Sequence, residues 1–545
     1  MNFFARPRTL FLFTLLFLLV GSQPLLAQRL GKEWYTDRQN GFRLRYPDGW
    51  LAVPVKELDT FSGRIGQFEG PDMATRIGNQ SYSSNPGLYI YKFTADDTAV
   101  TRDEEEGTGG LRGRIEKDNK RTDISEVIPR QFRAQNFEAD KPVYDKDFKS
   151  KKRVEGNRRS WKVFTGQFDA LLDTYTFSLD DYDIVLLMYC PEEHFKKFGK
   201  LFGQVAKTFE LIEREKSLEI TDASDYDQLF AFHLSEVERT PGWRLLETPS
   251  KRYLIKTSSE NDKFLKEVIR RLESARDLFE REFPPAKPIE HISVVRVCSS
   301  LEEFHKYGGT GGGVAGWFSP LTTELVIVDF KNYDRNLTYG VMVHEGFHQY
   351  CHFLFDESEA HRWFDEGHGD YYAAFEFRGK KAIPKAKMKG EDRLTGIREQ
   401  IRTGTYMPIG QHIRADHPTW QSRGVPSYQQ SWSIVYFLRQ GMDGRVPRKL
   451  WRPEYGDVIP NYMQTLHEGY LKAYDKLLSE EDAKDREEAA DRIGGLIGNL
   501  IRRPKVDEKT KQEIWDAAIE ASWGMVDMEE FTENWSEYVL KHVRN

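Results

Sequence analysis

The stretch His344-Glu345-Gly346-Phe347-His348 sets two imidazoles four residues apart with a carboxylate between them. On a helix, positions i and i+4 share one face with Cβ atoms ~5 to 6 Å apart, so His344 and His348 can each aim a ring nitrogen at one ion. Glu345 sits one step round, where its carboxylate reaches a water beside that ion without being a ligand. This pattern supports zinc-assisted hydrolysis. Hydrolytic zinc takes three protein ligands and keeps a fourth position for water, so a third ligand is required. Glu366, 18 residues after His348 in HRWFDEGHGDYYAAFEF, is the candidate, because the interval lets one helix finish, turn and return a carboxylate beside both rings. Asp370 follows four residues later on the same face, placed to accept a hydrogen bond from the non-ligating nitrogen of a ligand histidine. The plainer alternative is two helix histidines and a glutamate favoured near a helix start.

Other chemistries find little support. TGGGVAG lacks the Gly-Lys-Ser/Thr ending of a phosphate loop, and the serines show no nucleophile-elbow context. His352, His361 and His368 add imidazoles but fall where no ligand is needed. Cys190, Cys298 and Cys351 are too few and too scattered for a disulfide framework and read as small buried hydrophobes. Arg6 and Arg8 before the apolar run Leu10 to Val20, with Ala27 as the cleavage point, read as a signal peptide over residues 1–27. The run is shorter than the ~20 residues of a membrane span and no later segment is longer, so the mature chain is expected to be secreted or periplasmic with no stable span. Cleavage removes two arginines and takes the formal charge from -7 to -9. An acidic chain argues against nucleic acid as a partner.

The elements that must position the trio can be read in order. KRYLIKTSSEND opens as a strand, FLKEVIRRLESARDLFEREF is a long amphipathic helix ending at Pro284-Pro285, and HISVVRVCSS is a buried strand. LEEFHKYGG, the glycine-rich stretch and the strand TELVIVDF then lead into the motif helix. Upstream, WYTDRQNGFRLRYPDGWLAVPV reads as two short strands with a turn at Pro47 to Gly49. RRSWKVFTGQF and DTYTFSLDDYDIVLLMYC alternate as strands before the amphipathic HFKKFGKLFGQVAKTFEL. TRDEEEGTGGLRGRIEKDNKR is solvated loop, and from Gly441 the chain is helical, its aromatic positions packing on the motif helices, with EEDAKDREEAADR a charged insert. The fold class expected is α+β. An N-terminal α/β sandwich occupies 28–214, a linker with a helix 215–249, a zincin-like mixed sheet with the HExxH helix 250–440, and a helical subdomain 441–545.

His344-Glu345-Gly346-Phe347-His348, with Trp363-Phe364-Asp365-Glu366-Gly367 and Tyr371-Tyr372, resembles the gluzincin metallopeptidases, in particular the peptidase-MA-like secreted bacterial proteins. The resemblance runs from about Tyr253 to the C-terminus. Gly369-Asp370 stands where that family often shows Ala-Glu, which keeps a carboxylate but shortens it. The resemblance implies Zn2+ on His344, His348 and Glu366, a peptide or protein substrate, and Glu345 as the general base that passes a water's proton to the leaving nitrogen. It also implies an oxyanion donor, for which Tyr428, 62 residues after Glu366, competes with Tyr371, Tyr372 and His412. The strand Thr323 to Phe330 would either accept an extended substrate along an open edge or be an ordinary buried strand, with Gly316-Trp317-Phe318 on the same rim. Residues Trp34 to Ile212 resemble the Mog1/PsbP sandwich, through Tyr46 to Trp50 and the helix ending Ala206-Lys207-Thr208-Phe209. That implies an accessory domain with an unnamed partner and no catalytic residue. A zincin-fold binding protein at the cell envelope, without turnover, stays open as the alternative function; an intact Glu345 weighs against it.

Overall fold

The computed structural model describes the chain except residues 1–28, 57–61, 78–79, 95–99, 103–112, 116–120, 136, 216–224, 286, 309–314, 330–334, 379–380, 387–392, 480–505 and 545. The signal peptide, most of the glycine-rich stretch, most of the charged loop after Val100 and the insert EEDAKDREEAADR lie outside the described residues. The fold is mixed α+β, with antiparallel sheets in the N-terminal part and a helical C-terminal part built on a mixed sheet. Two compact units divide the chain between Glu215 and Lys216.

In the first unit β1 (Leu30–Asp37) and β2 (Phe42–Pro47) form a hairpin that turns through Gly41 at φ 65, not at Pro47 to Gly49 where the sequence placed the turn; that second turn leads out of the pair to Leu51–Ala52 in the main sheet. Its main sheet draws on β3 (Leu51–Ala52), β4 (Arg64–Glu69), β5 (Gly87–Thr94), β6 (Tyr144–Lys149), β7 (Glu155–Phe164), β8 (Asp169–Ser178) and β9 (Tyr182–Pro191). Their order is β6-β7-β8-β9-β5-β4-β3, all antiparallel. Period-2 alternation sends Leu186, Met188, Tyr175 and Phe177 to one face and Val185, Leu187, Trp161 and Leu172 to the other. α1 (Ile124–Phe132), opened by an Asp123/Glu126 capping box, covers the second face with Ile124 and Ile128. α2 (Glu192–Lys207) covers the first with Phe198, Leu201, Phe202 and Val205, beside the hairpin, on which β10 (Glu210–Leu211) pairs with β2.

The second unit starts with α3 (Tyr226–Glu238), β11 (Arg244–Glu247), β12 (Tyr253–Thr257), α4 (Asp262–Glu282), β13 (Ser293–Cys298) and α5 (Leu301–Gly308). β14 (Gly316–Phe318), β15 (Glu324–Val328), α6 (Arg335–Leu354) and α7 (Arg362–Ala373) follow. The sheet runs β11-β12-β13-β15-β14, with β12, β13 and β15 parallel and the outer strands antiparallel. α4 is capped by the Asn261 side chain, which accepts from the Phe264 N–H, and it ends before the two prolines. One sheet face, through Tyr253, Ile255, Val295, Val297, Leu325 and Ile327, packs on α4 and α6. The other carries Lys256, Arg296 and Glu324 under α3 and α5: Lys256 binds Glu236 and Glu324, Arg296 binds Glu324 through two nitrogens, and the Tyr307 hydroxyl donates to Glu324. Burial opposes ionisation of Glu324, yet Arg296 and Lys256 hold its carboxyl far below the ordinary range.

α8 (Arg393–Thr403), α9 (Val425–Met442), α10 (Pro453–Ser479), α11 (Glu508–Trp523) and α12 (Met528–Lys541) complete the unit. Their aromatic positions do pack on the motif helices. Trp363 of α7 lies edge-on to Tyr462 and Trp523, and one apolar core runs from Tyr253 to Val543. Of the two readings of the strand before the motif helix, the buried strand holds and the open edge does not. β15 is paired on both sides, by β13 and by β14, and the edge belongs to the three-residue strand β14.

Candidate metal centre

α6 is buried on nearly every side, and Gln349 anchors it to the sheet by donating to the carbonyls of Val294 and Thr323. His344 and His348 leave it on the face turned to α7, their rings 4.7 Å apart between centroids. Both Nε2 atoms approach one atom, Oε2 of Glu366, at 3.1 and 3.4 Å. The three potential ligand atoms lie within 4.8 Å of one another, and this is the metal-type group found among the described residues. Asp370 accepts from His344 Nδ1 at 3.2 Å and Asp365 from His348 Nδ1 at 2.8 Å. Each ring is thus held at Nδ1 by its own carboxylate, which leaves Nε2 facing the shared point. Asp370 is in turn gripped by Arg393 at 2.8 and 3.1 Å.

Gly369 explains how the shorter acid reaches. A Cβ there would stand 3.0 Å from the His344 Cε1 and Nδ1. A glycine lets α7 come that close, and at that distance an aspartate does what a longer glutamate does across a wider gap. Gly367 plays the matching part on the other side of α7. Its missing Cβ would lie 2.8 Å from the Ser431 carbonyl and 2.7 Å from Val435 of α9. That close crossing carries Tyr428, one turn earlier on α9, toward the trio.

Burial opposes charge on both rings, but Asp370 and Glu366 lift His344 to about 10, and Asp365 and Glu366 raise His348 far above its ordinary value. Burial likewise opposes ionisation of Glu366, and the two rings keep it well below the usual carboxylate range. Three carboxylates on two rings therefore demand positive charge at this point, supplied by two protons or by a divalent cation in their place. Two imidazole nitrogens and a carboxylate oxygen, with both tautomers preset, fit a divalent transition-metal ion.

Glu345 stays off the trio. Its Oε2 accepts from the Phe318 N–H of β14 at 2.9 Å, and burial pushes its carboxyl up while the two histidines lower it. Tyr428 is half-buried against Trp420, and its hydroxyl makes no hydrogen bond among the described residues. Burial and then the charges of Glu366 and Asp370 raise it, so it lies within electrostatic reach of the group. Of the competing donors, Tyr372 and His412 are hydrogen-bonded elsewhere, and the charges that act on Tyr371 are those of Arg439, Glu282 and Asp443 and not those of the trio. Tyr371 packs on Tyr372 and Phe375, Tyr372 donates to Glu282, and His412 is buried with Nε2 on the Ser431 hydroxyl at 2.8 Å. His361 and His368 bond to the Tyr462 hydroxyl and the Phe364 carbonyl, and His352 packs against Phe318; none joins the trio. All three cysteines are free and buried.

Sequence reasoning missed the parts of Asp365 and Arg393, and placed Phe318 on the rim without its N–H bond to Glu345. Asp365 carried a usable signal, since a second ligand histidine needs its own acceptor and Asp365 is the acid beside Glu366. No family model matches the chain, and no curated protein matches it. Solved structures that match include cyanobacterial PsbP (CyanoP) from Synechocystis sp. PCC 6803, 15% identical with a TM-score of 0.21 over 35% of this chain and 96% of that one. Another is a protein from Bacteroides thetaiotaomicron VPI-5482, 11% identical with a TM-score of 0.20 over 66% of this chain and 87% of that one. Both are weak likenesses.

Proposed function

We propose that the chain is a secreted or periplasmic zinc-dependent hydrolase that cleaves peptide bonds in peptides or proteins. The observation that carries the reading is the convergence of His344 Nε2, His348 Nε2 and Glu366 Oε2 on one point, with Glu345 beside the trio and engaged by none of it. A purely structural site has no use for such a carboxylate. Zinc held by the trio supplies Lewis acidity toward a water and toward the scissile carbonyl. The protein's own groups do the rest. Glu345 takes a proton from the attacking water, and as a carboxylic acid it delivers that proton to the leaving nitrogen, returning to its starting state. The Tyr428 hydroxyl, which makes no hydrogen bond among the described residues, donates to the oxyanion that forms as the carbonyl becomes tetrahedral. Asp365 and Asp370 hold the rings, and Arg393 holds Asp370. No helix among the described residues is long and apolar enough to cross a membrane.

The test is metal content by elemental mass spectrometry on wild type, His348→Ala and Glu345→Gln, beside turnover on a peptide library. Expected are near-stoichiometric zinc in wild type and Glu345→Gln, loss in His348→Ala, and a fall in turnover of at least ~100-fold in Glu345→Gln. Wild-type protein that takes up no zinc even on reconstitution would sink the reading and leave a binding module with a zincin outline.

A further inference from the structure

Arg362 opens α7, four residues before Glu366, and the mechanism above gives it no task. Its Nη1 stands 3.6 Å from Glu366 Oε1 and 3.7 Å from Asp365 Oδ2, attracted to both but beyond hydrogen-bond distance. Its Nη2 is 2.8 Å from Nδ1 of the exposed His417, the one hydrogen bond found for five guanidinium donors among the described residues. The side chain keeps 25% of its surface exposed. Arg393, the other arginine at the group, is by contrast spent on both oxygens of Asp370. The charge of Arg362 acts on the Tyr428 hydroxyl, as do those of Glu366 and Glu345, so Arg362 and Tyr428 border the same reaction point.

A counter-charge for Glu366 would sit at hydrogen-bonding distance, and a cation in the first turn of a helix works against the macrodipole. With a divalent ion on the trio, the carboxylates of Glu345, Asp365, Glu366 and Asp370 are balanced by that ion together with Arg362 and Arg393. Glu366 and Asp365 are then engaged by the ion and by His348, and the donors of Arg362 are left for an incoming anion. Guanidinium is suited to this, since its fork matches a carboxylate.

We propose that Arg362 is an anion-recognition point beside the His344/His348/Glu366 group, making peptides with a carboxylate side chain or terminus near the scissile bond the favoured substrates. Calling them substrates rests on the hydrolase reading; the anion contact itself does not.

The experiment uses full-length, zinc-loaded Glu345→Gln protein, so that bound peptides persist. Fluorescein-labelled hexapeptides in which one Glu is walked along a neutral sequence, each beside its Gln twin, are titrated by fluorescence polarisation. For at least one position the Glu peptide is expected to bind about tenfold tighter than its twin, the worth of one charge-assisted hydrogen bond discounted for partial exposure. Arg362→Gln on this background brings that ratio to within about twofold of one, and Arg362→Lys keeps part of it, zinc content being verified in each. Absence of any Glu-over-Gln preference, or a preference that Arg362→Gln leaves intact, overturns the proposal. Cleavage of the Gln twins by wild type separates the two readings. Anion preference without any cleavage removes the hydrolase and keeps the anion point, and cleavage without preference does the reverse.

Discussion

Adding one methyl group at Gly369 perturbs the trio without touching a ligand. In Gly369→Ala the new carbon would lie 3.0 to 3.1 Å from three atoms of the His344 ring, where ordinary contact begins near 3.4 Å. The ring must retreat by about 0.4 Å, and it has no slack: Asp370 holds Nδ1 at 3.2 Å and Glu366 faces Nε2 at 3.1 Å. Displacing a ligand by this amount is comparable to deleting an outer partner, which costs roughly 10 to 100-fold in metal affinity, or ~1.4 to 2.8 kcal/mol. Stability without metal moves differently. Alanine is the better helix former by about 1 kcal/mol, and overpacking costs about 1 to 3 kcal/mol, so the net change is about 2 kcal/mol or less. Gly346→Ala is the matched control, since its Cβ would meet only Leu325 at 3.8 Å. Zinc competition against a chromophoric chelator, with urea unfolding of the zinc-free proteins, gives both quantities. Were Gly369→Ala to bind zinc as tightly as Gly346→Ala, the packing of His344 on α7 would be wrong.

Asp365→Ala leaves His348 Nδ1 without its acceptor, and zinc affinity in the same competition is expected to fall roughly 10 to 100-fold. Glu324→Gln strips the charge that Lys256 and Arg296 share, and urea unfolding should show a loss of about 3 to 5 kcal/mol, as when one partner of a buried pair is removed. Burial, helped by Arg414 for His361 and Arg423 for His412, depresses both histidines to about 3. The folded chain keeps these two neutral while the unfolded chain protonates them below ~6.5, so their contribution is complete above that pH and is lost as pH falls toward 3. Between pH 7 and 5 each is expected to remove about 2 kcal/mol, and the double variant His361→Gln/His412→Gln should show a flatter dependence in unfolding measured across that window.

The trio was legible because its chemistry is written in spacing: i, i+4 on α6, then an interval long enough for a second helix. The long elements were legible too, since α4 shows its cap at Asn261 and its stop at Pro284, and β12, β13 and β15 are runs of buried apolar residues. β14 was not. Three residues give no periodic signal, so whether the stronger strand beside it was an edge or a buried strand stayed open in the sequence. Asp365 was hidden by its neighbour, because only the rotational setting of α7 shows that Glu366 turns to the Nε2 atoms while Asp365 turns to Nδ1 of His348. Arg393 meets Asp370 through tertiary packing that no local pattern encodes. Lys256, Arg296 and Glu324 are charges inside otherwise apolar strands, and nothing local says that they meet one another.

Those three charges act as an alignment key for the sheet. Along each strand they alternate with Ile255, Val295 or Val297, and Leu325, the residues that face α4 and α6. Sliding any one strand by a single residue would exchange its two faces, turning its charge into the apolar layer beneath the motif helix and stranding its partners under α3 and α5. An unpaired buried charge costs several kcal/mol, so mispaired arrangements of these parallel strands are disfavoured during folding, before any ligand is present. The Phe318 N–H can meet Glu345 only when β14 docks on a correctly set β15, and Gln349 finds the Val294 and Thr323 carbonyls only when β13 and β15 lie level. The salt-bridged face, on the far side of the sheet from His344 and His348, thereby decides where the face that carries them begins.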